Sequence, residues 1–225
     1  MQRALPAIRR FLSQTRGSMA VEAVLVLPVM ALMFIFFNVY WDAYRAKNLA
    51  QKATYTIADI ISRERSQVVP NYAKSYVRVF NYAAEVPGTL NVTNYETSAA
   101  IIRVTSVTFT DGAEDDDDGQ VNMAWSMSSD PKRMPEWTNA TIDAIAGQIP
   151  AMLDGDNIIV VESRVRWQPK FTTAMAADLL GKSSEGWFTA RDIETMATVR
   201  PRFVPRVCFN NNLFGASAVV VACDL

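Results

Sequence analysis

The residues best spaced for chemistry stand near the start of the chain, in RGSMAVEAVLVLP, residues 16–28. Arg16 and Gly17 precede an apolar run, and one carboxylate, Glu22, lies just inside it. A cut after Gly17 would create an amino group at Ser18, four peptide units from that carboxylate. A helix sets the two about one turn apart, poorly aimed at each other and well placed to reach a neighbouring subunit. An amine–carboxylate pair at about 4 Å attracts by about 4 kcal/mol at an effective dielectric of 20. Desolvation takes part of that back. What remains sets a register, each helix matching its amine to its neighbour's acid. The alternative is an acid that simply reaches back to the aqueous surface.

Elsewhere the chemical inventory is thin. There is no histidine, so the commonest general base and the commonest metal ligand are both missing. No G-x-S-x-G, G-x-x-x-x-G-K-[ST] or G-x-G-x-x-G motif occurs. The expectation is a protein that is not an enzyme and needs no cofactor. A net charge of −1 argues against nucleic acid as a partner. In DGAEDDDDG, residues 111–119, the run Asp115, Asp116, Asp117 and Asp118 offers the oxygen ligands a calcium ion takes. The D-x-D-x-D-G-x5-E order is absent, however, and a solvated hairpin tip is the expected reading. Cys208 and Cys223, the two cysteines, both lie in the last eighteen residues. In an oxidising compartment they would pair, closing a loop worth about 3 kcal/mol.

The elements that must position Glu22 begin with nineteen uncharged residues, Ala23 to Trp41. As a helix they span about 28 Å, close to the hydrocarbon thickness of a bilayer. Tyr40, Trp41 and Tyr44 cluster at the far end, as aromatic side chains do at the lipid–water boundary. A buried core helix and a cleaved secretory signal are the alternatives. The run is long for the first, and the bulky WDAYRAK that follows lacks the small-x-small site of the second. Arg3, Arg9, Arg10 and Arg16 precede the run without an acid among residues 1–17. They favour a cytoplasmic N-terminus, with residues 42–225 outside the cytoplasm.

Beyond the span, Leu49, Lys52 or Ala53, Ile57, Ile60 and Ile61 keep helical spacing, suited to packing many copies side by side, with a surface helix packed on its own domain as the alternative. They predict one helix running to about Arg65, on the order of 70 Å from Ser18, with Pro28 kinking it or freeing a carbonyl. After Val69-Pro70, residues 71–85 read as a second helix. Strands are predicted at 101–109, 121–128, 157–167 and 194–203, with a short helix within residues 139–153. Val161, Ser163, Val165 and Trp167 alternate with charged residues, as in a sheet with one wet face. Pro201 and Pro205 place the last strand at an edge. Helices followed by antiparallel strands make the fold α+β: a long transmembrane and amphipathic stem, then a domain with an antiparallel sheet and short helices.

The stretch RRFLSQTRGSMAVEAVLVLPVMALMFIFF resembles the N-terminus of type IV pilin-like proteins, and specifically the TadE-like family of the tight-adherence (Tad/Flp) pilus system. DGDNIIVVESRVRWQPKF, residues 154–171, and ATVRPRFVPRVC, residues 197–208, resemble that family's later strands, the second with its R-P-R signature. The resemblance implies a basic leader over residues 1–17, a transmembrane helix over 18–41, its periplasmic continuation over 42–66 and a globular domain over 67–225. By the same resemblance Gly17–Ser18 is the bond cut by a prepilin peptidase and Glu22 the assembly acid. The implied function is that of a minor pseudopilin or pilus-assembly component of the bacterial inner membrane. Its partners would be the peptidase, other pilins or pseudopilins, the assembly platform and the lipid bilayer. An uncleaved single-pass assembly or adhesion protein is the alternative, and a membrane-anchored periplasmic enzyme a third reading.

Overall fold

A computed structural model of the chain describes residues 18–65, 67–68, 70–84, 100–111, 119–169, 190–209 and 219–220. The fold is mixed, one long apolar helix near the N-terminus and an antiparallel sheet carrying further helices. Helix α1 runs Ser18–Ser62 without a break, through Pro28. The chain divides into two compact units, residues 1–44 with 169–189, and residues 45–168 with 190–225.

In the first unit α1 is apolar all round. Large side chains on every side of it, Leu25, Leu27, Met30, Phe34 and Phe37 among them, are exposed. A helix hydrophobic on all faces belongs in a core or in lipid. Here only 6% of the most apolar stretch is buried, and the helix is long and apolar enough to cross a membrane.

The second unit holds the remaining 18 residues of α1 and the sheet. Helix α2 is Pro70–Ala83, with proline at its first position, where the missing N–H has no cost. The main strands are β2 Ala100–Thr110, β3 Gln120–Ser128, β4 Asn157–Trp167 and β5 Arg191–Val199. With β7 (Val219–Val220) they form one sheet in the order β5-β4-β2-β3-β7, all pairs antiparallel. A one-turn helix, α3 Asp143–Ala146, lies between β3 and β4. Strand β1 (Gln67–Val68) pairs in parallel with β6 (Cys208–Phe209), a link with no period long enough to predict.

Two apolar layers cover the sheet. On one face Ala50, Ala53, Ile57 and Ile61 of α1, with Val77 and Phe80 of α2, bury against Ile102, Val104, Ile159 and Val161. Of the positions expected on the apolar face, Ala53, Ile57 and Ile61 are buried while Leu49 and Ile60 are half-buried, and the face packs on the chain's own sheet. On the other face Val107, Ile158 and Val160 pack under Ile142 and Ile145. The expected wet face is therefore only half wet: the connection between β3 and β4 covers it, and Arg164 and Arg166 emerge near the end of β4.

Several boundaries move. Helix α1 stops at Ser62 rather than Arg65, its last turn tightened by Arg63 N–H to the Ile60 carbonyl at 3.2 Å and Glu64 N–H to Ile61 at 3.1 Å. The helix expected within 139–153 shrinks to four residues, bounded by the turn at Gly147 and by Pro150. The last long strand is Arg191–Val199, not 194–203, because Pro201 cannot donate to a ladder. It does form an edge of the described sheet, with both prolines just past it. Cys208 opens β6 and is buried. Residues 1–17, the acids 115–118 and Cys223 lie outside the described residues.

Candidate functional site

Ser18 is the first residue of α1 and Glu22 is exposed one turn later. Their i,i+4 relation puts them on one stripe of one helix. Gly17, the other half of the expected cleavage bond, lies outside the described residues. Six residues past Glu22, Pro28 lacks an N–H, so the Val24 carbonyl loses its usual intrahelical donor. At the far end of the apolar stretch Tyr40 and Tyr44 stack, ring centroids 6.5 Å apart.

The stem enters the folded unit through a buried cluster of hydroxyls. Thr54 Oγ1 lies 2.9 Å from Ser163 Oγ on β4 and 2.6 Å from Thr195 Oγ1 on β5, and those two lie 2.7 Å apart. Thr54 also donates to the Ala50 carbonyl at 2.8 Å. With that proton committed, the Ser163 and Thr195 hydroxyls hold two protons for the three contacts, so two of the three carry a hydrogen bond at a time. Thr54 and Ser163 are fully or almost fully buried, so their hydroxyls must find protein partners, which the triangle and the Ala50 carbonyl supply.

The C-terminal end of α1 is held by the residues just past β5. Arg202 N–H donates to the Ser62 carbonyl at 2.8 Å, satisfying a helix-end acceptor. Its guanidinium meets Asp59 at 2.8 Å, a carboxylate that also binds Arg63 at 2.8 Å. Arg65 sits over the Phe203 ring, 4.8 Å from its centroid. Arg202 thus docks the end of α1.

A third arrangement escaped sequence reasoning. Arg103 on β2 and Glu162 on β4 stand directly opposite in register and form a bidentate pair, both contacts 2.7 Å, with side chains 8% and 12% exposed. Trp137 Nε1 donates to Glu162 at 2.7 Å, Arg103 donates to the Pro135 carbonyl at 2.6 Å, and its guanidinium stacks 4.0 Å from the Trp137 ring centroid. The signal available in sequence was a lone charge, Arg103, in the apolar run of β2, and Glu162 as the first of three charges alternating along β4. Close by, burial pushes the Asp130 carboxyl up, but hydrogen bonds from the Arg133 side chain and backbone, the Arg133 charge and the Lys132 N–H hold it below the usual carboxylate range.

For catalysis or metal binding the described residues offer little geometry. No three His, Cys, Asp or Glu side chains come together as metal ligands among them. An open, shallow cleft beside the β5 edge is lined by Tyr55, Gln148, Met196, Ala197 and Thr198, without a carboxylate, a lysine or a thiol. The chain matches no family model, no curated protein and no solved structure. What the site does must therefore be argued from α1 itself.

Proposed function

We propose that this chain is a pilin-like membrane subunit, a minor pseudopilin or pilus-assembly component of the Tad/Flp type. In this reading it is cut after Gly17 by a prepilin peptidase and joins its partners through α1. The observation that carries the reading is the placement of one unbroken helix, Ser18–Ser62. It carries Ser18, exposes Glu22 and an apolar first half, and buries its last turns in the folded unit. Such a helix can anchor in the inner membrane before assembly and present an amine and an acid at the membrane's edge. The rest of the chain then lies on the periplasmic side. Partners follow from the same logic: the peptidase, other pilins or pseudopilins and the inner-membrane assembly platform.

Intact mass of the protein recovered from membranes tests the first step. The expected mass lacks residues 1–17, and a chain retaining Met1 where the peptidase is active overturns the reading in favour of an uncleaved anchor. Glu22→Ala tests the second step. Membrane insertion is expected to stay normal while fibre assembly fails, and unaltered piliation would leave Glu22 as an acid that only reaches the aqueous surface.

A further inference from the structure

Strand β5 is an edge of the sheet, and it is guarded unevenly. Strand β4 pairs with it along its whole length, Arg191–Val199, and no strand lies on its other side among the described residues. Outward N–H and C=O groups on such an edge are a template for another chain, unless charge or proline blocks it. The first part of β5 is blocked by Arg191, Asp192 and Glu194, and Pro201 stands just past its end. Between them residues 195–199 carry neither a charge nor a proline, over about 17 Å of strand.

The cleft beside β5 opens along this unguarded stretch, on Met196, Ala197 and Thr198. Ala197 belongs to the layer under α1, and Met196 packs against the layer under the connection between β3 and β4. Tyr55 of α1 and Gln148 of that connection, both exposed, therefore bracket the edge from its two faces. The space, about 280 Å³, falls short of the roughly 300–1,000 Å³ of small-molecule pockets. It suits a chain passing along the strand. The charge left over on this edge is positive. Glu194 is held by Arg164 at 2.7 Å, Asp192 stands 3.9 Å from Arg166, and Arg200 is matched by Asp156 at 2.9 Å. Exposed Arg191 has no ion pair among the described residues.

We propose that β5 is a docking edge for an extended segment of another protein, which adds beside residues 195–199 through main-chain hydrogen bonds. That segment has an uncharged core of about five residues, small or β-branched where it passes between Tyr55 and Gln148. It carries a carboxylate about four residues beyond the core, where it passes Arg191. A second copy of β5 fits this place less well. Thr54 meets Thr195 and Ser62 meets Arg202, so α1 and β5 advance in the same direction. Two-fold pairing of β5 with β5 would turn the unbroken α1 helices of the two copies antiparallel. Copies inserted into one membrane in one orientation have parallel stems. This exclusion of a second copy rests on the proposed anchoring by α1.

The test places photoreactive p-benzoylphenylalanine at Tyr55 or at Gln148 of the full chain, in cells that make it natively, and maps the adducts by peptide mass spectrometry. Both positions are expected to reach one segment of one other protein, with the uncharged core and the acid at the stated spacing. A synthetic peptide of that segment, added to the full chain in mild detergent, should slow exchange of the outward amides within residues 195–199 about tenfold. Thr198→Lys puts on the edge a charge that edge strands tolerate, and it should abolish both adduct and slowing, while Thr198→Ser keeps both. Arg191→Glu should weaken peptide binding about tenfold, and less at high salt. Exchange at Val160 and Val161 in the strand centre should stay unchanged in every variant, which shows the fold intact. Adducts to a second copy, to unrelated segments from the two positions, or to nothing overturn the proposal, as does binding that survives Thr198→Lys. Intact mass of the same sample scores the cut after Gly17 separately, so either reading can fail without the other.

Discussion

Arg103 and Glu162 show how much rests on one pair of side chains. Each is almost buried, each is paired by two hydrogen bonds, and the remaining capacity goes to Pro135 and Trp137. Removing one partner of such a pair strands the other charge, at a cost of about 3–5 kcal/mol. Arg103→Met is therefore expected to destabilise the folded unit by about that amount, read as a lowered urea midpoint for the full chain in mild detergent. Arg103→Met together with Glu162→Leu should recover part of the loss, because no lone charge stays behind. If the single change shifted the midpoint by less than about 1 kcal/mol, the pair would count as an exposed ion pair in effect. Glu22 differs at this scale. Its type and spacing could be read from the sequence, because an acid in an apolar run is conspicuous without any knowledge of packing. Arg103 and Glu162 could not be matched, since 59 residues separate them and only the β2–β4 register brings them together.

Elements with a strong period were the legible ones. Ala53, Ile57 and Ile61 of α1 and all four long strands follow from apolar spacing of 3.6 or 2, and the bounds of β4 match the apolar run to the residue. What stayed hidden has no period: the parallel pair β1–β6, and the 129–156 connection that covers half of the face expected to be wet. The hydroxyl triangle belongs with these. Thr54 falls on the same helix face as Ala50, Ala53 and Ile57, and sequence alone treats it as a polar lapse. In the fold it is the point where α1 is pinned to β4 and β5. Thr54→Val keeps the shape, removes the donor to Ala50, and leaves Ser163 and Thr195 bonded only to each other. The expected cost is about 1–3 kcal/mol, and Thr54→Ser should retain most of the stability. A thermal melt of both variants separates a hydrogen-bonding role from simple packing, for which the two changes would reverse in rank.

At the scale of the whole molecule, the tail and the stem meet the same small region. Strand β6 pairs with β1 just after α1, and Trp125 Nε1 on β3 donates to the Val207 carbonyl at 2.6 Å. Cys208 follows immediately, so a bond from it to Cys223 would fasten the tail where stem, sheet and tail converge. Non-reducing peptide mapping is expected to return the two cysteines as one linked peptide. Reduction should then lower stability by about 3 kcal/mol, the entropy of a loop of this length. Finding both thiols alkylated without reductant would remove the bridge from the account.

One helix serves both units, and that has a mechanical consequence. Tension on the anchoring half of α1 passes along a continuous backbone into Ala50, Thr54, Ile57 and Ile61, which are fully buried against the sheet. Because α1 runs beside β5, a pull along the helix axis strains the Thr54 contacts and the Arg202 clamp together in shear rather than peeling them one by one. Pulled along its axis, this part of the helix should yield only when many contacts break at once.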